Sequence, residues 1–207
     1  MPANALPGTL LSQTLPQSSL ATPIRVGSVA LAVALTAVAA QFTMPLPFTA
    51  VPFTLTPMVV LLTGAALGSR LGALTQILYL SAGLLGAAVF APSLTLPPGP
   101  ARLLGPTGGY LMAYPLAAFV TGWLAERGWD RRYLTSFAAM AIGLGLIYVG
   151  GASWLTLAFT RSVPAALATG VTPFVLPDLL KLVVAAMILP QTWSLIGPRS
   201  RVQGPKS

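Results

Sequence analysis

The chain contains no cysteine and no histidine among its 207 residues. Without cysteine it has no disulfide framework and no thiolate metal site. Without histidine it lacks the commonest general acid–base residue and metal ligand. Acidic residues are also scarce, since only Glu126, Asp130 and Asp178 are present, and no P-loop motif G-x-x-x-x-G-K-[ST] occurs. We therefore expect neither an enzyme nor a chain that binds ATP by itself, and no bound cofactor or metal.

Charged residues make up only 7% of the chain, whereas hydrophobic residues make up 55% and the mean hydropathy is +0.82. A soluble domain carries about 25% charged residues, so this composition predicts an integral membrane protein. The eleven basic residues give a net charge of +8. They flank the apolar segments instead of forming one cluster, which favours membrane topology over nucleic-acid binding.

Six apolar segments follow one another along the chain. A membrane-spanning helix needs about 20 such residues, and no strand-like alternation is present, so we predict helices and not barrel strands. The second segment is short, and either tilts or borrows residues from the segment before it. The fold class predicted is an all-α integral membrane protein with six transmembrane helices. The segments are Val26–Phe42, Pro57–Leu67, Leu71–Phe90, Gly108–Leu124, Tyr133–Phe159 and Val163–Leu189.

The basic residues predict the orientation of these helices. With both termini in the cytoplasm, only Arg102 and Arg161 lie outside, as the positive-inside rule requires. Residues 1–24 lack the basic start of a signal peptide and are predicted to be a disordered cytoplasmic tail. Residues 25–190 form the six-helix domain, and residues 191–207 form a basic cytoplasmic tail. The basic residues placed inside are Arg25, Arg70, Arg127, Arg131, Arg132, Arg199, Arg201 and Lys206.

Asp178 and Lys181 lie within an otherwise apolar segment. A charge there costs about 2.5–3.5 kcal/mol on insertion scales, so it marks a candidate functional site. Their i,i+3 spacing places both on one helix face. Pro177 is predicted to open this helical half, which puts Asp178 near the positive end of the helix dipole. The alternative is a mutually neutralised pair that only joins helices.

The segment Pro45–Pro57 contains four prolines in thirteen residues, which prevents a regular helix. It repeats a Phe-Thr pair, as Phe48-Thr49 and Phe53-Thr54. Irregular backbone at membrane depth is tolerated only against protein or a cavity. We therefore predict a lid over a site on the outer side, with an ordinary outer loop as the alternative.

The segment Gly105–Tyr110 reads GPTGGY and opens the fourth apolar segment. Gly108 and Gly109 permit close approach of the backbone to a ligand or to a neighbouring helix. Thr107 is a candidate helix cap, and the free N–H groups beyond it favour an anionic group. Arg102 stands just before this motif, either as a clamp for a carboxylate or as an anchor at the membrane interface.

Small residues mark packing faces on the first apolar segment. They serve either internal bundle packing or the docking of another membrane subunit. The two stripes are Ala30, Ala34 and Val38, and Ala32, Thr36 and Ala40.

Together these motifs resemble the BioY family, the biotin-binding S components of energy-coupling-factor (ECF) vitamin transporters. The resemblance runs from about Val26 to Pro190. Four stretches carry it: PFTAVPFTL at Pro47–Leu55, the segment that ends in LGAAVFA at Ala91, GPTGGYL at Gly105–Leu111, and LPDLLK at Leu176–Lys181.

The resemblance implies an S-component-like bundle of six helices in the plasma membrane. Such proteins capture biotin on the outer side, work with a transmembrane coupling subunit and two ATPase subunits, and topple in the membrane during transport. It also implies that Ala30 and Ala34 on the first helix face the coupling subunit.

Residue by residue, the resemblance assigns Asp178 and Lys181 to the acidic and basic binding pair. Asp178 would accept the ureido N–H groups of biotin, and Lys181 would donate to the ureido carbonyl or to the valerate carboxylate. Arg102 or the backbone of Thr107–Gly109 would take that carboxylate. The resemblance also assigns Gly108, Gly109 and Tyr110 to the motif that lines the pocket, and Phe48, Thr49, Phe53 and Thr54 to the first outer loop. Apolar walls for biotin are expected from Phe48, Phe53, Phe90, Tyr110 and Trp154.

The sequence departs from the family pattern in its loops, with Thr56 in place of Gln, Ala87-Ala88 in place of Leu-Pro, a proline-rich Pro92–Pro100, and Leu176-Pro177 in place of Pro-Gly. Two other functions remain open on the residues alone. One is an S component for thiamine or riboflavin, and the other is a membrane structural or assembly protein without a small-molecule ligand.

Overall fold

The computed structural model describes residues 9–11, 21–93 and 95–196, and these residues are mostly helical. A short antiparallel pair joins β1 (Thr43–Met44) to β2 (Phe53–Thr54). A 3₁₀ turn at Trp129–Arg131 precedes α6, and a π-helical turn at Thr156–Thr160 follows it. The helices are α1 (Ala21–Gln41), α2 (Thr56–Leu67), α3 (Ser69–Leu84), α4 (Pro100–Leu104), α5 (Gly108–Ala125), α6 (Tyr133–Leu155), α7 (Val163–Gly170) and α8 (Thr172–Ile196).

Three stretches of helix in the described part of the chain are long and apolar enough to cross a bilayer, namely Thr22–Gln41, Tyr133–Thr160 and Thr172–Thr192. α2 is apolar but has only 12 residues, which at 1.5 Å per residue is shorter than the bilayer core of about 30 Å. The helical class predicted from the apolar segments is confirmed, and three of the six predicted spans are each long enough to cross a bilayer.

Helix α5 lies at the centre of the bundle and packs against α2, α3 and α6. Glycine makes the close approach between these helices possible. A methyl group on Gly64 of α2 would lie 2.6 Å from the Ala118 carbonyl oxygen of α5. One on Gly122 of α5 would lie 2.6 Å from the Ser69 nitrogen of α3. Inside a membrane the hydrophobic effect does not drive helices together, so close packing at small residues stabilises their association instead.

Helix α3 begins directly after α2, with Gly68 alone between them at φ 91°. A positive φ of this size favours glycine. The first N–H groups of a helix have no partner within it, and here Glu126, at the end of α5, supplies one. Its Oε1 accepts hydrogen bonds from the Ser69 backbone nitrogen at 2.7 Å and from Ser69 Oγ at 2.9 Å.

The sixth predicted segment consists of two helices, α7 and α8, separated at Val171. Ser162 caps α7, and its Oγ accepts a hydrogen bond from the Ala165 nitrogen at 3.5 Å. The prediction that Pro177 opens a helix was wrong, because α8 begins at Thr172 and Pro177 lies inside it. Membrane helices tolerate an internal proline when neighbouring groups satisfy the freed backbone positions.

Other predicted boundaries also shift. The third segment, predicted to reach Phe90, is helical only to Leu84, and Gly86 follows at φ 96°. The segment 45–55 is non-helical, as its prolines predict, and the β1–β2 pair joins its two ends.

The two predicted tails lie mostly outside the described residues. Within the first, Thr9 and Leu10 are described and buried, and α1 begins at Ala21 instead of residue 25. At the other end α8 extends to Ile196, and residues 197–207 lie outside the described part.

The two small-residue stripes of α1 lie on different faces. Ala32, Thr36 and Ala40 are buried in the bundle, whereas Ala30 and Ala34 are exposed. Internal packing thus accounts only for the stripe of Ala32, Thr36 and Ala40.

Candidate ligand-binding site

A central cavity of about 70 Å³ lies near one end of the bundle. Side chains from β2, α1, α2, α3, α5, α6 and α8 line it. The loop residues 51–54, the GPTGGY motif through Thr107 and Tyr110, and the pair Asp178 and Lys181 all contribute to its wall. The structure thus brings together three segments that are far apart in the sequence.

The Asp178 carboxylate is held by two partners inside this cavity. Lys181 Nζ forms an ion pair with its Oδ1 at 2.5 Å, and the Tyr148 hydroxyl donates to its Oδ2 at 2.6 Å. The side chains of Lys181 and Asp178 are only 12% and 7% exposed. A buried charge pair is tolerated when its remaining hydrogen-bonding positions are satisfied, and Tyr148 meets part of that need.

Lys181 also connects α8 to the proline-rich loop. Its Nζ donates to the Thr54 carbonyl oxygen at 2.6 Å and lies 3.9 Å from the centre of the Phe53 ring. The second contact is a cation–π interaction. The ammonium therefore contacts a carboxylate, a carbonyl and an aromatic face at once, and fixes the position of β2 relative to Asp178.

Tyr110 lines the cavity, but its hydroxyl donates to the Gly170 carbonyl oxygen at 2.6 Å. Its ring lies against Gly151 of α6, and its hydroxyl also reaches Gly170 of α7, so that a methyl group at either glycine would overlap the tyrosine. This predicted site residue thus presents an aromatic wall to the cavity.

The Gly-Gly turn packs against α6 instead of facing the cavity. A methyl group on Gly109 would overlap Trp154, and one on Gly108 would overlap the Leu103 carbonyl oxygen. Trp154 itself donates from Nε1 to the Gly105 carbonyl oxygen at 2.9 Å. Gly108 and Gly109 were expected to allow close approach to a ligand or to a neighbouring helix, and the structure shows the approach to a helix.

Thr107 occupies the N-cap position of α5 and lines the cavity, but its side chain makes no capping hydrogen bond. The predicted capping role for its hydroxyl was therefore wrong.

Arg102 lies outside the central cavity and borders an adjoining one of about 450 Å³. Its side chain is buried, with Nε donating to the Pro97 carbonyl at 3.0 Å and Nη1 to the Ala91 carbonyl at 2.8 Å. The two cavities share wall residues, among them Pro52 and Thr107. Arg102, on α4, thus holds the loop between α3 and α4 and lines the second cavity.

The three phenylalanines predicted to form aromatic walls lie in different places. Phe53 lines the central cavity. Phe90 lies behind it, edge-on to Tyr79 with ring centres 5.4 Å apart, and borders the adjoining cavity. Phe48 is 61% exposed and lines neither cavity, so the structure places it outside the site. Thr49 borders the adjoining cavity, and its Oγ1 accepts a hydrogen bond from the Val51 nitrogen at 3.1 Å.

Sequence reasoning missed Tyr148, Tyr79 and Tyr114, all of which line the cavity. A signal for them existed, because all five tyrosines in the chain belong to predicted apolar segments, and only Tyr133 stands at the very start of one. A buried tyrosine hydroxyl usually requires a partner, so each of these residues marks a polar position inside the bundle.

This arrangement defines a class of protein: a helical membrane protein with a candidate site for a small ligand that has both hydrogen-bond donors and acceptors. The site offers a carboxylate, an ammonium and aromatic walls. No group of His, Cys, Asp and Glu side chains in the described ranges is arranged to hold a metal ion.

The chain belongs to the BioY family, whose sequence profile matches residues 15–198. It is 42% identical over 163 residues to a probable biotin transporter BioY of Pyrococcus horikoshii, covering 79% of this chain and 92% of that one. It is also 42% identical over 143 residues to the biotin transporter BioY of Thermotoga maritima, covering 69% and 81%.

The fold is similar to a crystal structure of the S-component for biotin from an ECF-type ABC transporter. The TM-score is 0.78 at 21% sequence identity, and the match covers 86% of this chain and 95% of the other. The bundle described above is therefore the fold of an ECF S component.

Proposed function

We propose that this chain is the biotin-capturing S component of an ECF-type vitamin uptake transporter. Its relatives are named biotin transporters, and its structural neighbour is an S component for biotin. The observation that carries the proposal in this chain is the Asp178 carboxylate, which Lys181 and Tyr148 hold inside a cavity lined by aromatic rings.

The chemistry of biotin suits this site. Its ureido ring carries two N–H donors and one strong carbonyl acceptor, and the rest of the molecule is a thiophane ring with an alkyl chain. Asp178 accepts from the ureido N–H groups, because each carboxylate oxygen has a second lone pair beyond the bonds to Lys181 and Tyr148. Phe53 and Tyr110 supply apolar walls for the ring system.

The valerate chain extends toward the adjoining cavity, which the central one meets at Pro52 and Thr107. Arg102 borders that cavity. Its two hydrogen bonds to loop carbonyls use Nε and Nη1, whereas a guanidinium has five N–H donors in total. Arg102 can therefore hold the loop and still bind the carboxylate, with the Thr107–Gly109 backbone as the other candidate.

In this proposal the chain crosses the plasma membrane six times with both termini in the cytoplasm. α1, α6 and α8 are the longest spans, while α2, α3 and α5 cross as shorter, tilted helices. The site then opens on the outer side, covered by the loop 45–55.

The chain acts as a transporter subunit and not as an enzyme, and its partners are a coupling subunit and ATPase subunits. Ala30 and Ala34 are exposed on α1, which leaves a face of small residues open for the coupling subunit. That exposure supports the proposed docking face.

Calorimetric titration of the detergent-purified protein with biotin tests the proposal, with thiamine and riboflavin as controls. We expect tight binding of about one biotin per chain and none of the other vitamins. Binding of a control vitamin alone would make this an S component for that vitamin. No binding by folded protein would favour a structural or assembly role.

A second titration separates the ureido ring from the rest of biotin. Desthiobiotin keeps this ring and should bind better than any analogue that lacks it, because a site with buried polar groups rejects ligands that leave them unpaired. Equal affinities for desthiobiotin and for an analogue without the ring would show that Asp178 does not bind the ureido group.

A further inference from the structure

The cavity contains four tyrosines, and three of their hydroxyls have a protein acceptor. Tyr79 donates to the Val89 carbonyl at 3.2 Å. Tyr110 and Tyr148 donate to the Gly170 carbonyl and the Asp178 carboxylate. These three hydroxyls hold the wall of the cavity together.

Tyr114 is the exception. It lies on α5 one helical turn after Tyr110, is 5% exposed and lines the same cavity. Within residues 9–11, 21–93 and 95–196, its hydroxyl makes no hydrogen bond to any protein group. A hydroxyl on a buried residue is unfavourable without a hydrogen-bond partner, so the position of Tyr114 beside the cavity points to a partner that arrives with the ligand.

The Lys181 ammonium has limited capacity to serve that ligand. It has three donors, and its contacts to Asp178 and to the Thr54 carbonyl use two of them. A ureido carbonyl oxygen has two lone pairs and is a strong acceptor. One more donor inside the cavity is therefore needed to satisfy it.

We propose that the Tyr114 hydroxyl donates a hydrogen bond to the carbonyl oxygen of the bound ligand and is a specificity-determining residue of this site. The inference rests on the proposed function, because it takes the ligand to be a cyclic urea. It divides the tyrosines by role: Tyr79, Tyr110 and Tyr148 bond to the protein, and Tyr114 bonds to the ligand.

The chain offers a matched control on the same helix face. Tyr114→Phe and Tyr110→Phe remove the same hydroxyl from positions four residues apart that line one cavity. Tyr114→Phe removes no bond within the described protein, so it should fold with unchanged thermal stability. Tyr110→Phe strands the Gly170 carbonyl and should lower the thermal unfolding temperature.

Both variants and the wild type are titrated with biotin and with its thiocarbonyl analogue, in which sulfur replaces the carbonyl oxygen. We expect Tyr114→Phe to weaken biotin binding about tenfold, the usual size of one buried hydrogen bond. It should weaken binding of the analogue much less, because sulfur is a poor acceptor. Tyr110→Phe should leave the ratio of the two affinities unchanged.

The infrared stretch of a ¹³C-labelled ureido carbonyl gives an independent reading. It should move to higher frequency in Tyr114→Phe and stay in place in Tyr110→Phe.

Three results would overturn the inference: unchanged biotin affinity in Tyr114→Phe, an equal loss for both ligands, or a variant that does not fold, since that would reveal a structural partner for the hydroxyl. Failure of the wild type to bind biotin is a different outcome and overturns the proposed function as well.

Discussion

Tyr148 of α6 and Asp178 of α8 are joined by a hydrogen bond of 2.6 Å across thirty residues of sequence. Lys181 contacts the other oxygen of the same carboxylate. Two fixed donors therefore set the plane of the carboxylate, and with it the direction in which a ligand N–H must approach.

Replacing Tyr148 by phenylalanine should weaken biotin binding between about threefold and tenfold, because the carboxylate loses one of its two fixed donors. Calorimetric titration measures the change. Tyr133→Phe is the matched control, because Tyr133 is 53% exposed and lies outside the cavity. Equal affinities for the wild type and Tyr148→Phe would show that Lys181 alone orients Asp178.

Replacing Lys181 by methionine should weaken biotin binding by at least about tenfold, since an uncompensated carboxylate is left in a buried site. Expression should persist, because methionine fills a similar volume. The loop should also loosen, because the bond from Lys181 to the Thr54 carbonyl is lost, and amide hydrogen exchange at 43–55 reports this directly. Arg70→Met removes an exposed positive charge instead and serves as the control. If Lys181→Met binds biotin as tightly as the wild type, Asp178 and Lys181 serve only to join helices.

Replacing Gly170 by alanine should destabilise the folded protein by about 1–3 kcal/mol, because the new methyl group overlaps the Tyr110 hydroxyl in a packed interior. Thermal unfolding in detergent measures the effect. Gly145→Ala is the control within α6, since no atom of the described residues lies within 4 Å of its methyl position. If the two variants unfold at the same temperature, the tight packing around Tyr110 is not required for stability.

Replacing Ala34 by leucine should leave biotin binding intact and weaken assembly with the proposed coupling subunit, because Ala34 is exposed on the α1 face that we propose as the docking face. Ala32→Leu makes the same chemical change at a position that is 4% exposed, and should destabilise the isolated subunit through overpacking. Co-purification with the coupling subunit and thermal unfolding separate the two effects. Normal assembly of Ala34→Leu with the coupling subunit would show that the docking face does not include Ala34.

Much of this protein could be predicted from the sequence alone, because the relevant physics is local or compositional. The scarcity of charge predicted the membrane class, and the apolar segments predicted most of the helical stretches, although the third helix ends at Leu84 and not at Phe90. The i,i+3 spacing of Asp178 and Lys181 predicted their contact correctly, since a helix brings such positions together whatever surrounds it.

Only the tertiary structure decided which groups meet across helices. Tyr148 contacts Asp178, Lys181 contacts Thr54, and the Gly108–Gly109 turn packs on Trp154. These contacts form because packing between helices determines which face of each helix meets its neighbours. The preference of proline for the first turn of a helix also led to a wrong prediction at Pro177, which lies inside α8. A membrane helix tolerates such a proline when neighbouring groups satisfy the freed backbone positions. Sequence spacing determines what shares one face of a helix, whereas packing determines what that face touches.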